Sequence, residues 1–374
     1  MSQISDEKLF YQIALTKVPG VGDIVGKNLI SVIGDPEAIF KSTKASLSAI
    51  RGLSQKVILE ILNPRILQEA EEELNFVKKN DLQTFFIGEE GYPQRMIDCV
   101  DSPLLLYYKG NEELNKQKVI SIVGTRNSTR YGSDFCDEFL KELSIHFPDL
   151  LVVSGLAYGI DISAHRAALA NGLSTIGVLA HGLDRIYPTV HRQTAMEMVS
   201  HGGLLTEFPS KTEPDRFNFV RRNRIVAGMT DAVLVIESNA KGGSLITAEI
   251  ASSYCKDVFA LPGRVTDTRS EGCNKLIENQ KAEILISAEQ FIRQMNWGQE
   301  NSKKGKAPKQ QQLFFDLSTE ETAIIDKLTK EGAMHIDQLS KSLEISAFDL
   351  FSILMELEMK GAVNSLAGGF YELA

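Results

Sequence analysis

A chain of 374 residues, 43% hydrophobic and 24% charged, is long enough for two or three domains with cores of their own and has neither a disordered nor a fibrous composition. Its formal net charge of -9 excludes coating duplex DNA by bulk charge, so any nucleic-acid contact must be a focal electropositive groove. No apolar run reaches the roughly 18 residues of a spanning helix, and MSQISDEKLF lacks the basic-then-apolar order of a signal peptide; a cytoplasmic protein with no membrane insertion is expected.

From Leu9 to about Leu67 the pattern is short and helical. Gly20, Gly22 and Gly26 have GxGxxxG spacing with no strand before them, which rules out a dinucleotide loop. Helix, Pro-Gly-Val-Gly, helix is the order of a helix-hairpin-helix. Its glycines bring backbone amides close to a phosphate or serve plain packing. We assign residues 1–75 to this helical module.

Residues 76–297 form the second region. Between Lys118 and Ser287, apolar β-rich runs beginning at Val119, Leu150, Ser174, Gly202, Ala232, Val258 and Ala282 alternate with helical stretches, the signature of a doubly wound parallel sheet. Nearly all end in glycine or a small polar residue, and ligands of such sheets bind beyond the carboxyl ends of the strands, so these endings should converge. Gly124, Thr125 and Arg126 follow the first run, placing free amides and a guanidinium fork at a helix start. Ser154 and Gly155 follow the second, His181 and Gly182 the third, and Gly242, Gly243 and Ser244 open a later helix. Asp161 and His165, four apart, are expected to be structural or to line the pocket.

The stretch Phe217 to Gly228, FNFVRRNRIVAG, crowds arginines into an acidic chain. Arg216, Arg221, Arg222 and Arg224 are interleaved with Phe217 and Phe219, and guanidinium forks beside aromatic rings suit a ligand carrying phosphates and stackable bases. The alternative is an amphipathic helix with a solvated or acid-paired arginine face. There is no GxxxxGK[ST] and no GxGxxG after the first strand, so neither P-loop nucleotide hydrolysis nor nicotinamide chemistry is supported and no cofactor is expected. Cys99, Cys136, Cys255 and Cys273 form no CxxC and read as small core residues, with no metal site.

After Trp297, residues 298–315 read as a flexible polar linker. Residues 316–374 show three helical stretches and a hairpin, the order of a winged helix. Its expected recognition helix carries Asp349, Glu356 and Glu358 against Lys360, which favours protein contact over DNA reading.

IVGTRNSTRYG, VVSGLAYGIDISAHRAAL, GVLAHGLDRIYPTVHR, FVRRNRIVAG, GGSLITAEIA and LPG, in this order, resemble the DNA-processing protein A (DprA/Smf) family across the whole sheet region. The resemblance implies a Rossmann-like fold flanked by a helical (SAM-like) module and a winged helix. It implies a non-catalytic single-stranded DNA-binding protein that protects incoming DNA in natural transformation and loads a RecA-type recombinase. Carried over by position, Arg126, Arg216, Phe219, Arg222 and Arg224 are the leading contacts, with Gly124, Thr125, Ser154, Gly155, Arg221, Gly243 and Ser244 around them and Asn223 ordering the cluster or reaching a phosphate. Val220 stands where the family often has proline. The family's self-association implies a homodimer contact near Asn274, Leu276, Ile277 and Ile284. The competing reading is a phosphoribohydrolase-like nucleotide enzyme, echoed by Gly242, Gly243, Thr247 and Glu249, although the proline and third glycine of its PGGxGTxxE loop are missing.

Overall fold

Nine strands make one sheet in the order β1-β2-β6-β5-β4-β3-β7-β8-β9. They are β1 (Gln83–Phe86), β2 (Leu105–Gly110), β3 (Val119–Val123), β4 (Leu151–Ser154), β5 (Ser174–Val178), β6 (Gly202–Thr206), β7 (Ala232–Val235), β8 (Asp257–Ala260) and β9 (Glu283–Ile284). The computed structural model describes residues 5–298 and 318–374 except 344, 361, 367, 368 and 374; the expected linker, but for its first residue, lies outside them. Strands β3 to β9 are the seven runs of the sequence pattern, and all pair in parallel. The two strands missed by that pattern, β1 and β2, join antiparallel at the β6 edge.

Alternation explains why the runs are apolar throughout. Val119, Val123, Val153, Val178, Val233 and Val235 face helices Arg216–Gly228 and Gly243–Ser253, while Ile120, Ile122, Val152 and Leu234 face helices Arg130–His146 and Ile160–Ala170. A parallel sheet covered on both faces needs apolar residues at every position. Strand order reverses at β3, which has β4 on one side and β7 on the other, so a crevice opens between the loops after these strands.

The helices of residues 6–79 do not stand as a separate body. Ile13, Leu29, Ile58 and Val77 share one core with Phe86, Leu104, Leu105 and Tyr107, and a single compact unit runs Met1–Trp297. The hairpin is present, as helices Asp6–Lys17 and Asp23–Ile33. Gly26 is required for packing: a Cβ there would lie 2.2 Å from Leu104 Cδ1. Asp23, at the start of the second helix, accepts the Leu104 amide and pairs with Arg224 at 3.0 Å, so a carboxylate sits where a phosphate was considered.

The second unit, Gly298–Ala374, carries helices Thr319–Glu331, Ile336–Leu343 and Ala347–Met359 with β10 (Met334–His335), β11 (Val363–Leu366) and β12 (Phe370–Leu373) in a three-stranded antiparallel sheet ordered β10-β12-β11. This is winged-helix topology. Its core gathers Ile324, Leu328, Leu339, Leu350 and Leu354. Lys360 pairs with Glu321 at 2.5 Å, which takes the recognition helix's one expected cation into the unit's own structure.

Of the cysteines, Cys99, Cys136 and Cys273 are buried as expected, but Cys255 is exposed, because it sits at positive φ in the turn between helix Gly243–Ser253 and β8. Among the described residues no helix is long and apolar enough to cross a membrane and no His/Cys/Asp/Glu group could hold a metal ion.

Candidate nucleic-acid interface

A cleft of about 640 Å³ opens at the carboxyl end of the sheet where the strand order reverses. Gly124, Thr125 and Arg126 come to it from β3, Gly155 and Asp161 from the loop after β4 and its helix, and Gly243 and Ser244 from the helix after β7. The remaining wall is helix Arg216–Gly228, which presents Arg216, Phe219, Arg222 and Asn223. Asp215 caps that helix by accepting the Phe217 amide at 2.8 Å, and the apolar run Ile225 to Ala227 anchors its far end in the sheet core.

Arg222 is the floor of this cleft. It is only 4% exposed, and its guanidinium donates to the carbonyls of Gly155 (2.7 Å) and Val178 while Nε donates to Asn223 Oδ1 (3.3 Å). A Cβ at Gly155 would stand 2.3 Å from Nη1, so the glycine makes the room that the guanidinium fills. Burial lowers the Arg222 pKa to about 10 against the raising effect of Asp161, which leaves the group cationic at neutral pH. Asp161, itself buried, accepts the Ala157 amide, and its pKa is pushed up by burial and held back by Arg222.

Arg126 and Phe219 form the mouth. The Arg126 guanidinium lies 5.1 Å from the centroid of the Phe219 ring, within cation–π range, and Arg222 approaches the same ring at 6.0 Å. Arg126 and Arg216 are exposed. Gly242 caps helix Gly243–Ser253 without a side-chain hydrogen bond, so the amides of its first turn face the cleft beside Lys241. The sequence reading missed Lys241 and Asn239, which sit in the same loop as the glycines it singled out. A lysine directly before a Gly-Gly helix start was the available signal.

Three expected contacts lie elsewhere. Arg224 is on the opposite side of its helix, buried, and pairs with Glu207 (2.5 Å) and Asp23. Arg221, half exposed, pairs with the same Glu207 (2.7 Å) and with Asp23 (3.3 Å). Both tie the helix to the N-terminal hairpin and leave the cleft. The helical period explains the split: Arg216, Phe219 and Asn223 share a stripe that Arg221 and Arg224 do not. Ser154 is fully buried, its hydroxyl donating to Ile122 O at 2.6 Å, and so holds β4 to β3.

His165 is neutral, its pKa lowered to about 3 by burial, and bonds Thr175 at 2.7 Å, so it makes no couple with Asp161. His181 is buried beside Gly182 and does not reach the cleft. Of the proposed enzymatic echo, Gly242, Gly243 and Thr247 line the cleft, but Glu249 is turned outward, two-thirds exposed and 3.6 Å from Lys281.

The expected dimer patch divides as well. Leu276 belongs to the core; Asn274, half-buried, bonds both the amide and carbonyl of Gly263, and Ile277 packs partly against the core. Ile284, on edge strand β9, and Ile286 beyond it are exposed.

The DNA recombination-mediator protein A family model matches residues 83–296, and the DprA winged helix domain model matches residues 307–369. Protein Smf of Synechocystis sp. is 34% identical over 286 residues, covering 75% of this chain and 71% of that one. Among solved structures, DNA processing protein A of Streptococcus pneumoniae is similar with a TM-score of 0.60 and 30% identity over 78% of this chain and 98% of that one. The DNA processing protein A of Helicobacter pylori, whose structure is described by its single-stranded DNA binding mode, gives a TM-score of 0.52 and 30% identity over 58% of this chain and 96% of that one.

Proposed function

Because the chain belongs to the DNA recombination-mediator protein A (DprA/Smf) family, we propose that it binds single-stranded DNA in the cleft between the β3, β4 and β7 loops and helix Arg216–Gly228. The observation that carries this reading is the Arg126–Phe219 pair at the mouth, a cation and an aromatic ring 5.1 Å apart in the cleft that Gly242 to Ser244 also line. Guanidinium and lysine groups neutralise phosphates, while the ring and the guanidinium plane accept a base face whatever the base. Duplex DNA hides its base faces in the stack, so the site favours single strands. The Helicobacter pylori relative, described as binding single-stranded DNA, supports the same assignment at 30% identity.

The bound strand is held without chemical change, protected in the cytoplasm during natural transformation and passed to a RecA-type recombinase. Self-association as a homodimer would use the β9 edge, where Ile284 and Ile286 are exposed, with Ile277 behind them. Fluorescence anisotropy with a labelled single-stranded oligonucleotide and its duplex tests the reading. Tighter binding of the single strand supports it, and equal or no binding at low salt contradicts it.

A further inference from the structure

Tyr187 is a second large aromatic side chain at the same edge of the sheet, outside the cleft. It lies between β5 and helix Arg192–Ser200, and β5 runs parallel to β4, so its loop emerges on the side where the cleft opens. The residue is 45% exposed, its ring centroid is 6.1 Å from that of Phe219, and the two planes are tilted by 54°. It also packs, nearly perpendicular, 6.5 Å from the ring of His181, which is buried and bonded to Gly182. The ring is therefore backed by fixed structure while keeping an exposed surface. A residue serving only to brace Phe219 would gain most by burying that surface as well.

We infer that Tyr187 is a second base platform, taking the nucleotide next to the one held at Phe219. This rests on the single-strand reading of the cleft and extends it along the strand. The tilt decides what kind of strand fits. Two bases stacked on each other are parallel and cannot both lie flat on rings inclined by 54°, so each base leaves its neighbour and lies on its own ring. The tilt between the rings turns the strand as it passes from one to the other. A duplex can make neither adjustment without unpairing, and the second ring therefore adds strand selectivity without base readout.

The test places a single 5-iodouracil at successive positions of a short oligonucleotide, irradiates the complex and maps the crosslinked peptide by mass spectrometry. The expected result is a crosslink to Phe219 from one position and to Tyr187 from the adjacent position. In parallel, Tyr187→Ala should weaken binding of an oligonucleotide long enough to span both rings by about tenfold or more. It should leave a nucleoside monophosphate, which can reach only one ring, nearly unaffected, and Tyr187→Phe should bind as the wild type. Crosslinks at Phe219 alone, or equal losses with the oligonucleotide and the mononucleotide, would overturn the inference while leaving the single-strand reading intact. Failure of the wild-type protein to bind any strand would defeat that reading itself and this inference with it.

Discussion

The guanidinium of Arg222 occupies the space that a side chain at Gly155 would take, with Nη1 2.3 Å from where the Cβ would stand and 2.7 Å from the Gly155 carbonyl. The cleft floor is thus a buried cation locked to the loop after β4. A buried arginine held by backbone carbonyls fixes geometry and gives the cleft a permanent positive field.

Gly155→Ala is expected to displace that guanidinium and to destabilise the protein by about 1 to 3 kcal/mol, the usual cost of overpacking. Urea unfolding measures it. An unchanged midpoint would mean that the loop yields and Arg222 is not locked.

Arg224 supplies the contrast. It and Glu207 are both almost fully buried and 2.5 Å apart, so Arg224→Ala leaves Glu207 paired with the half-exposed Arg221 and should cost about 1 to 3 kcal/mol of stability. Its effect on DNA should be indirect: the salt dependence of binding keeps its slope in the folded variant. A slope flattened as it would be by Arg126→Ala would return Arg224 to the interface.

Glu207 makes stability depend on pH in a stated direction. Burial outweighs the pull of Arg224 and Arg221 and raises its pKa to about 7 from an ordinary 4.5. The folded state therefore binds this proton more tightly than the unfolded chain does. The contribution is full below about pH 4.5 and is lost as pH rises through about 7. Urea midpoints of the wild type should show this decline, and Glu207→Gln, which cannot ionise, should remove that part of it. Identical profiles for the two proteins would contradict the assignment.

Glu249 separates the proposed function from the nucleotide-enzyme alternative. Because its side chain points outward toward Lys281, Glu249→Gln should leave single-strand affinity unchanged. Incubation of the wild type with nucleoside monophosphates should release no base. Turnover that Glu249→Gln abolishes would favour the enzyme.

The parallel strands were legible because a sheet covered on both faces writes continuous apolar runs, and the cleft was marked by the strand endings at Gly124 and Gly155 and by the helix start at Gly243. β1 and β2 were not: Gln83–Phe86 and Leu105–Gly110 form an antiparallel extension whose pairing no local pattern announces. The arginine cluster showed its charge but not its sides. Arg221 and Arg224 are spent on Asp23, a residue 198 and 201 positions away in sequence, and such partners emerge only from the tertiary fold. Leu276 followed the same logic in reverse, since an apolar helix residue near an edge reads equally as core or interface.

The central claim is that one cleft binds phosphates through Arg126 and a base through Phe219. Titrating a labelled single strand across a salt series with wild type, Arg126→Ala and Phe219→Ala tests both halves together. The account predicts a log-log slope that Arg126→Ala flattens by about 0.7 for the lost phosphate contact, and a loss of about 1 to 3 kcal/mol for Phe219→Ala with the slope unchanged. Wild-type affinity and slope retained in both variants would contradict it.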